Sequence, residues 1–233
     1  MEYSKLVRTF GDVPFYDKEV MSDDVAQLYK PRDSREYVMD KVLEDFTFAA
    51  NNVRTSDGTD GLTVNRSVVD AYMSKVFLFE GTWQKYREKN NEYAEKYLKA
   101  AKDAAARVMD GTSGKTYSIS DDYKALTTSL DLAGNPEIIL YRSYVSGVKT
   151  HGEMSWQIEQ VQASAPSKSL VDSYLTTNGL PINQSGNADY KGDKTIKDEL
   201  ANRDPRLLAN VADSLCLNGV VALYGIGGYL GNR

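Results

Sequence analysis

A protein that holds a sugar needs flat aromatic rings to cover the apolar CH face of a pyranose, and planar amide, carboxylate or guanidinium groups to serve its hydroxyls. Residues 141–183 contain such a set. Tyr141, Tyr144 and Trp156 flank a loop holding Gly147, His151 and Gly152, and Arg142, Gln157 and Asn183 supply polar partners. Loops carried on a rigid scaffold are the usual place for these groups. The expected ligand-binding set is therefore Trp156, Tyr144, Tyr141, His151, Arg142, Gln157 and Asn183. Each aromatic in it also suits plain packing.

Catalytic chemistry finds less support. His151 is the single histidine, so no two-histidine zinc motif exists and a nucleophile–base triad has only that residue to use. No glycine-rich nucleotide loop or nucleophile elbow is present. The 33 acids are enough for a glycosidase pair, yet none sits in an apolar setting that would raise its pKa, as a general acid requires. Cys216 is alone, which leaves no intrachain disulfide and no multi-cysteine metal site. Asp57, Asp60 and Gly61 are spaced like the start of a calcium loop but lack ligands at the later positions, so they read as a turn. Arg203, Asp204 and Arg206 suggest an anion site. The better reading is structural, with Asp204 serving neighbouring amides and Pro205 fixing the turn. A binding protein with no cofactor and no metal is expected, not an enzyme.

The chain has 233 residues, enough to bury a sizeable core. Its formal charge of -5 disfavours a phosphate-backbone ligand, so no nucleic acid is expected. Tyrosine is abundant, at 16 residues, and suits wet recognition surfaces as well as cores. No apolar run approaches bilayer-crossing length, and the first residues carry neither a basic n-region nor an apolar h-region.

The elements that position these residues are mainly helical. Tyr3, Leu6, Val7 and Phe10 share one helical face that Gly11 and Pro14 end, and so short a helix must pack on something. Asp33 with Glu36 gives a capping-box pattern ahead of Val38, Val42, Phe46, Ala49 and Val53. Residues 65–87 form the strongest helix, with Val68, Tyr72, Val76, Phe79, Trp83 and Tyr86 as a continuous stripe, widened by Val69, Met73 and Phe77, that is expected in the core. Asn90 and Asn91 turn the chain into a second helix, 92–109, striped with Ala94, Tyr97, Leu98, Ala101, Ala105 and Val108. Glu92 with Lys96, and Glu95 with Lys99, pair on its wet face. Aromatics on the first helix and alanines on the second make a tetratricopeptide-like hairpin, though no clean 34-residue period recurs. Beyond Gly111 the chain is loop-rich, with a short apolar segment over 137–144 that reads as extended, a helix over 168–178 and a short one near 194–202. Glycines crowd residues 219–231, a poor core element by itself.

Five segments then fall into the order of one family. Leu6-Val7-Arg8-Thr9-Phe10-Gly11-Asp12-Val13-Pro14 resembles the helix-to-loop junction of SusD/RagB proteins, and Pro31-Arg32-Asp33-Ser34-Arg35-Glu36-Tyr37-Val38 their entry to the next helix. Pro136-Glu137-Ile138-Ile139-Leu140 is similar to the segment after their helical repeats. Pro166-Ser167-Lys168-Ser169-Leu170-Val171-Asp172-Ser173-Tyr174, followed by Asn178-Gly179-Leu180-Pro181-Ile182, resembles a further stretch, and Asn202-Arg203-Asp204-Pro205-Arg206-Leu207 matches their x-R-D-P-R-L signature.

The resemblance implies a mainly α fold of tetratricopeptide-like helical repeats with long irregular loops. It implies one domain over 1–233, truncated at both ends, with a helical core at 33–110 and a loop-rich, ligand-facing part at 111–233. Members of the family are surface lipoproteins of the outer membrane that bind oligosaccharides and deliver them to a TonB-dependent, SusC-like transporter. The expected partners are thus an oligosaccharide, that transporter, and the outer membrane through an N-terminal lipid anchor absent from this chain. The alternative is a helical protein–protein interaction module without glycan binding, motivated by the helices at 65–109, with Tyr97 in its groove.

Overall fold

The computed structural model describes all residues except 57–60, 124, 130, 146, 150–165, 212–213, 218–219, 226–227 and 230–233, and gives backbone alone for 127, 128 and the strands after residue 213. The chain folds as two compact units, one of residues 1–120 and 131–143, the other of 121–130 and 144–233.

The first unit is helical: α1 (Glu2–Phe10), α2 (Val25–Leu28), α3 (Arg35–Asn52), α4 (Arg66–Trp83) and α5 (Asn91–Met109). Of the apolar face of α1, Val7 is fully buried and Tyr3 packs on the core, while Leu6 and Phe10 stay exposed. The cap of α3 is Ser34, whose hydroxyl accepts from the Tyr37 amide; the sequence pattern had pointed to Asp33. Asp33 is held elsewhere, accepting from the Phe15 amide at 2.7 Å and pairing with Lys30, and these two bonds hold its carboxyl below the usual range. With Asp12 accepting from the Arg35 amide, the loop between α1 and α3 is stitched back to the start of α3.

The expected stripe of α4 is buried mainly along its widening row, Val69, Met73 and Phe77, together with Val68, whereas Tyr72 and Tyr86 are 37% and 69% exposed. The buried row continues through Glu80 and Gln84, and its end is ionic. Arg35 enters the core from α3 and donates from Nε and Nη2 to the two Glu80 carboxylate oxygens, both at 2.7 Å. Gln84 donates to Glu80 and to Glu36, and the Arg35 guanidinium lies 4.6 Å over the Trp83 ring. A charge buried with its partner and a stack of this kind is tolerable where a lone one is not.

After Trp83 the helix continues as a π turn, Gln84–Glu88, ended by Lys89 at φ 56°. Asn90 then caps α5 through the Tyr93 amide. The two helices of the hairpin approach closely, since a Cβ on Gly81 would sit 2.7 Å from Leu98 Cγ. The small residues Ala94, Ala101 and Ala104 are buried on α5, as a close neighbour requires. Tyr97 is core, not groove: it is 0% exposed, stacks with Phe77 at 5.5 Å, and donates to Asp40 of α3. Burial and that bond push its phenol well above the usual range. Arg107 and Ser113 both bond buried Asp70, tying the end of α5 to the start of α4.

The second unit holds α6 (Ala125–Thr128), α7 (Lys168–Ser173), α8 (Ile196–Leu200), α9 (Pro205–Asn210) and the strands β1 (Ser214–Leu217), β2 (Val220–Gly225) and β3 (Gly228–Tyr229). Val171, Leu200 and Leu207 form its small core. Helix α7 is capped by Ser167 and stops at Ser173, short of the expected 178. The reason is Arg203, 2% exposed, whose guanidinium takes the carbonyls of Val171 at 2.6 Å, Tyr174 at 3.0 Å and Glu199 at 3.1 Å. Asp204 caps α9 with Pro205 in its first turn, and the Arg206 side chain beside it holds the Asp204 carboxyl down to about 2. The 203–206 segment is therefore structural. Lys168 gathers Asp172, Glu199 and Asp193 around its ammonium, which raises its pKa.

The glycine-rich end forms antiparallel strands in the order β1-β2-β3, with Ser214 opposite Leu223 and Tyr224 opposite Tyr229. Residues 137–144 make turns and bends instead of an extended segment. The architecture is mainly α, as expected. No helix among the described residues is long and apolar enough to cross a membrane.

Candidate functional site

The segment leading to the predicted ligand set is pinned by its own side chains. Asn135 accepts from the Glu137 amide at 2.9 Å, and Glu137 in turn accepts from the Ser120 amide at 2.8 Å. The Pro136 carbonyl accepts from the Ser118 amide. Tyr141 is then anchored twice. Its amide donates to the Gly61 carbonyl at 2.8 Å, and its ring lies against Gly61 so closely that a Cβ there would meet Cε1 at 2.9 Å. Gly61 has φ +77°, a conformation glycine adopts without strain. One edge of the Tyr141 ring is thus committed to packing.

Arg142 follows it on the surface of the same unit. Tyr144, 43% exposed, opens the second unit beside a turn in which Val145 and Lys149 exchange both backbone bonds at 2.9 Å. Asn183 is also exposed there, on a loop that Asn187 knots by donating to Thr176 Oγ1 at 2.9 Å and to the Pro181 carbonyl at 3.0 Å. Trp156, His151 and Gln157 lie outside the described residues. Of the predicted set, the structure brings Tyr141 and Arg142 together in one unit and places Tyr144 and Asn183 in the other.

Two clefts in the first unit were not expected. One is an apolar groove of about 430 Å³, lined by Phe46, Ala49, Val68, Tyr72 and Leu140, with Asp45 as a polar group on its wall. Tyr72 shows part of its ring there, and Leu140 sits directly before Tyr141. A tyrosine face, an aliphatic floor and one carboxylate form a surface that suits a sugar ring. Tyr72 is expected in the core, but it lies at the exposed edge of a wide stripe, beside the buried row of Val69, Met73 and Phe77. The other cleft, between α3, α4 and α5, is lined by Arg66, Lys96, Lys99 and Arg107. Its lysines take other partners than the expected Glu92 and Glu95: Lys96 pairs with Asp40 of α3, and Lys99 with Asp103 one turn further along its own helix.

Sequence and fold converge on one family. Residues 135–227 match the model of the SusD family, a stretch that includes all seven residues of the expected ligand set. The chain carries a SusD-like fold over 89% of its length: that part superposes on a SusD-like protein of Bacteroides fragilis with a TM-score of 0.57, at 21% identity. It spans 40% of that protein's length. No curated protein matches the sequence significantly. The SusD-family stretch contains the Pro136 turn, the Ser167-capped α7 and the Arg203 clamp, which are the features that shape the second unit.

Proposed function

We propose that the intact protein is a surface lipoprotein of the outer membrane that captures oligosaccharides and hands them to a TonB-dependent, SusC-like transporter for nutrient uptake. The observation that carries this reading is the SusD-family match over residues 135–227. The SusD-like fold supports it, and so does the supply of exposed tyrosine beside apolar and amide surface. In this reading helices 33–110 are the scaffold and 111–233 the ligand-facing part. In the same reading the glycan is contacted by Trp156, Tyr144, Tyr141, His151, Arg142, Gln157 and Asn183. The protein binds its glycan and does not cleave it.

Affinity electrophoresis through gels containing individual polysaccharides tests this. The intact protein is expected to be retarded by at least one of them, to release no reducing sugar from it, and to regain mobility on Trp156→Ala substitution. Free migration in every polysaccharide, combined with tight capture of a peptide partner, would replace this reading with the interaction-module alternative.

A further inference from the structure

Helices α3, α4 and α5 enclose a cleft of about 370 Å³. Leu43, Ala50, Met73 and Ala100 give it an aliphatic wall. Arg66, Lys96, Lys99 and Arg107 stand around it, against one lining acid, Asp103. In a chain whose formal charge is -5, this local excess of cations runs against the overall balance.

Three of the four cations are already neutralised. Lys96 pairs with Asp40 at 2.7 Å, Lys99 pairs with Asp103, and Arg107 donates from both Nε and Nη2 to the buried carboxylate of Asp70. Arg66 differs. Its Nη2 reaches only the Asn51 carbonyl, at 3.5 Å, and its Nε is buried with no acceptor among the described residues. A buried donor without an acceptor is costly, and a guanidinium even more so, unless something outside the chain completes it.

We propose that this cleft binds a carboxylate carried on a small, partly apolar ligand, with Arg66 as the anchoring residue. The planar fork of a guanidinium matches the two oxygens of a carboxylate. One uncommitted cation matches one negative charge, whereas a dianionic phosphate would face Asp103 and Asp40 with too little positive charge left to hold it. The aliphatic wall receives the ligand body, and Asn51, which lines the same cleft, offers an amide to its polar groups. Two sources share this chemistry: the uronate of an acidic sugar and the free C-terminus of a short peptide. The site goes beyond the capture of neutral glycans and shares no residue with the ligand set around Tyr141.

Calorimetric titration of the intact protein tests it with matched pairs: cellobiouronic acid against cellobiose, and Ala-Ala against Ala-Ala amide. At least one free acid is expected to bind at least tenfold more tightly than its neutral partner, and more weakly as salt is raised. Arg66→Gln is expected to lower that affinity at least tenfold with the circular dichroism spectrum unchanged, while Lys85→Ala, an exposed charge elsewhere, leaves it intact. The acid that binds names the source. Equal binding of acid and neutral partner, no binding of either acid, or an Arg66→Gln variant that binds as the wild type does would each overturn the proposal. Retention of neutral polysaccharide by Arg66→Gln keeps this outcome separate from the fate of the glycan-capture reading.

Discussion

The Arg35–Glu80 pair offers a decisive perturbation. Their side chains are 7% and 2% exposed, and the two bonds between them are both 2.7 Å. Arg35→Met removes the charge while keeping much of the stem volume. It leaves Glu80 buried with only the Gln84 amide, at 3.1 Å, as a donor among the described residues. Breaking such a pair from one side costs about 3–5 kcal/mol, and the lost stack on Trp83 adds about 0.5–2 kcal/mol. Glu80→Leu exposes the converse cost, a guanidinium beneath α1 with only the Val7 carbonyl, at 3.4 Å, in reach. Replacing both removes charge from both sides, so the double variant is expected to lose about 2–3 kcal/mol less than the sum of the single losses. Urea unfolding followed at the helical circular dichroism signal measures each stability, and Trp83 fluorescence reports the same event because its ring faces the guanidinium. Single losses below about 1 kcal/mol that simply add would refute the view that this pair organises the first unit.

Three further outcomes are expected. Arg203→Met leaves three carbonyls without their donor and should destabilise the second unit by about 3 kcal/mol or more, read as faster limited proteolysis between residues 166 and 211. Gly61→Ala places a Cβ against Tyr141 at positive φ and should cost about 1–2 kcal/mol in thermal unfolding, part of which Tyr141→Ala restores. Asp204 has its pKa lowered from 3.8 to about 2, so its contribution is complete above about pH 4 and is lost as pH falls towards about 2; the stability gap between wild type and Asp204→Asn should close over that window in acid titration.

Several features were legible in the sequence because local rules determine them. The hairpin between α4 and α5, with its turn at Asn90, and the alanine face of α5 follow from turn chemistry and period. The structural role of Asp204 followed from its place before Pro205. What escaped was set by distant partners. Glu80 and Gln84 are polar, so a hydrophobicity pattern steers them to solvent; their burial depends on Arg35, which arrives from 45 residues away. Tyr72, beside that buried row, is left to line a groove. Helix α7 ends early for a like reason, since Arg203 reaches its carbonyls from 32 residues on. The cationic cleft escaped because Lys96 and Lys99 had plausible partners on their own helix, and Asp40 was invisible from there. The ligand set within residues 141–183 was chosen by residue type, and the proposed binding measurements are its test.

The most direct measurement is a glycan array probed with the intact protein, wild type and with Trp156 and Tyr144 both replaced by alanine. The account predicts binding to a structurally related group of oligosaccharides that the double substitution abolishes while the fold is retained. No binding to any glycan, or binding that the substitutions leave unchanged, would contradict it.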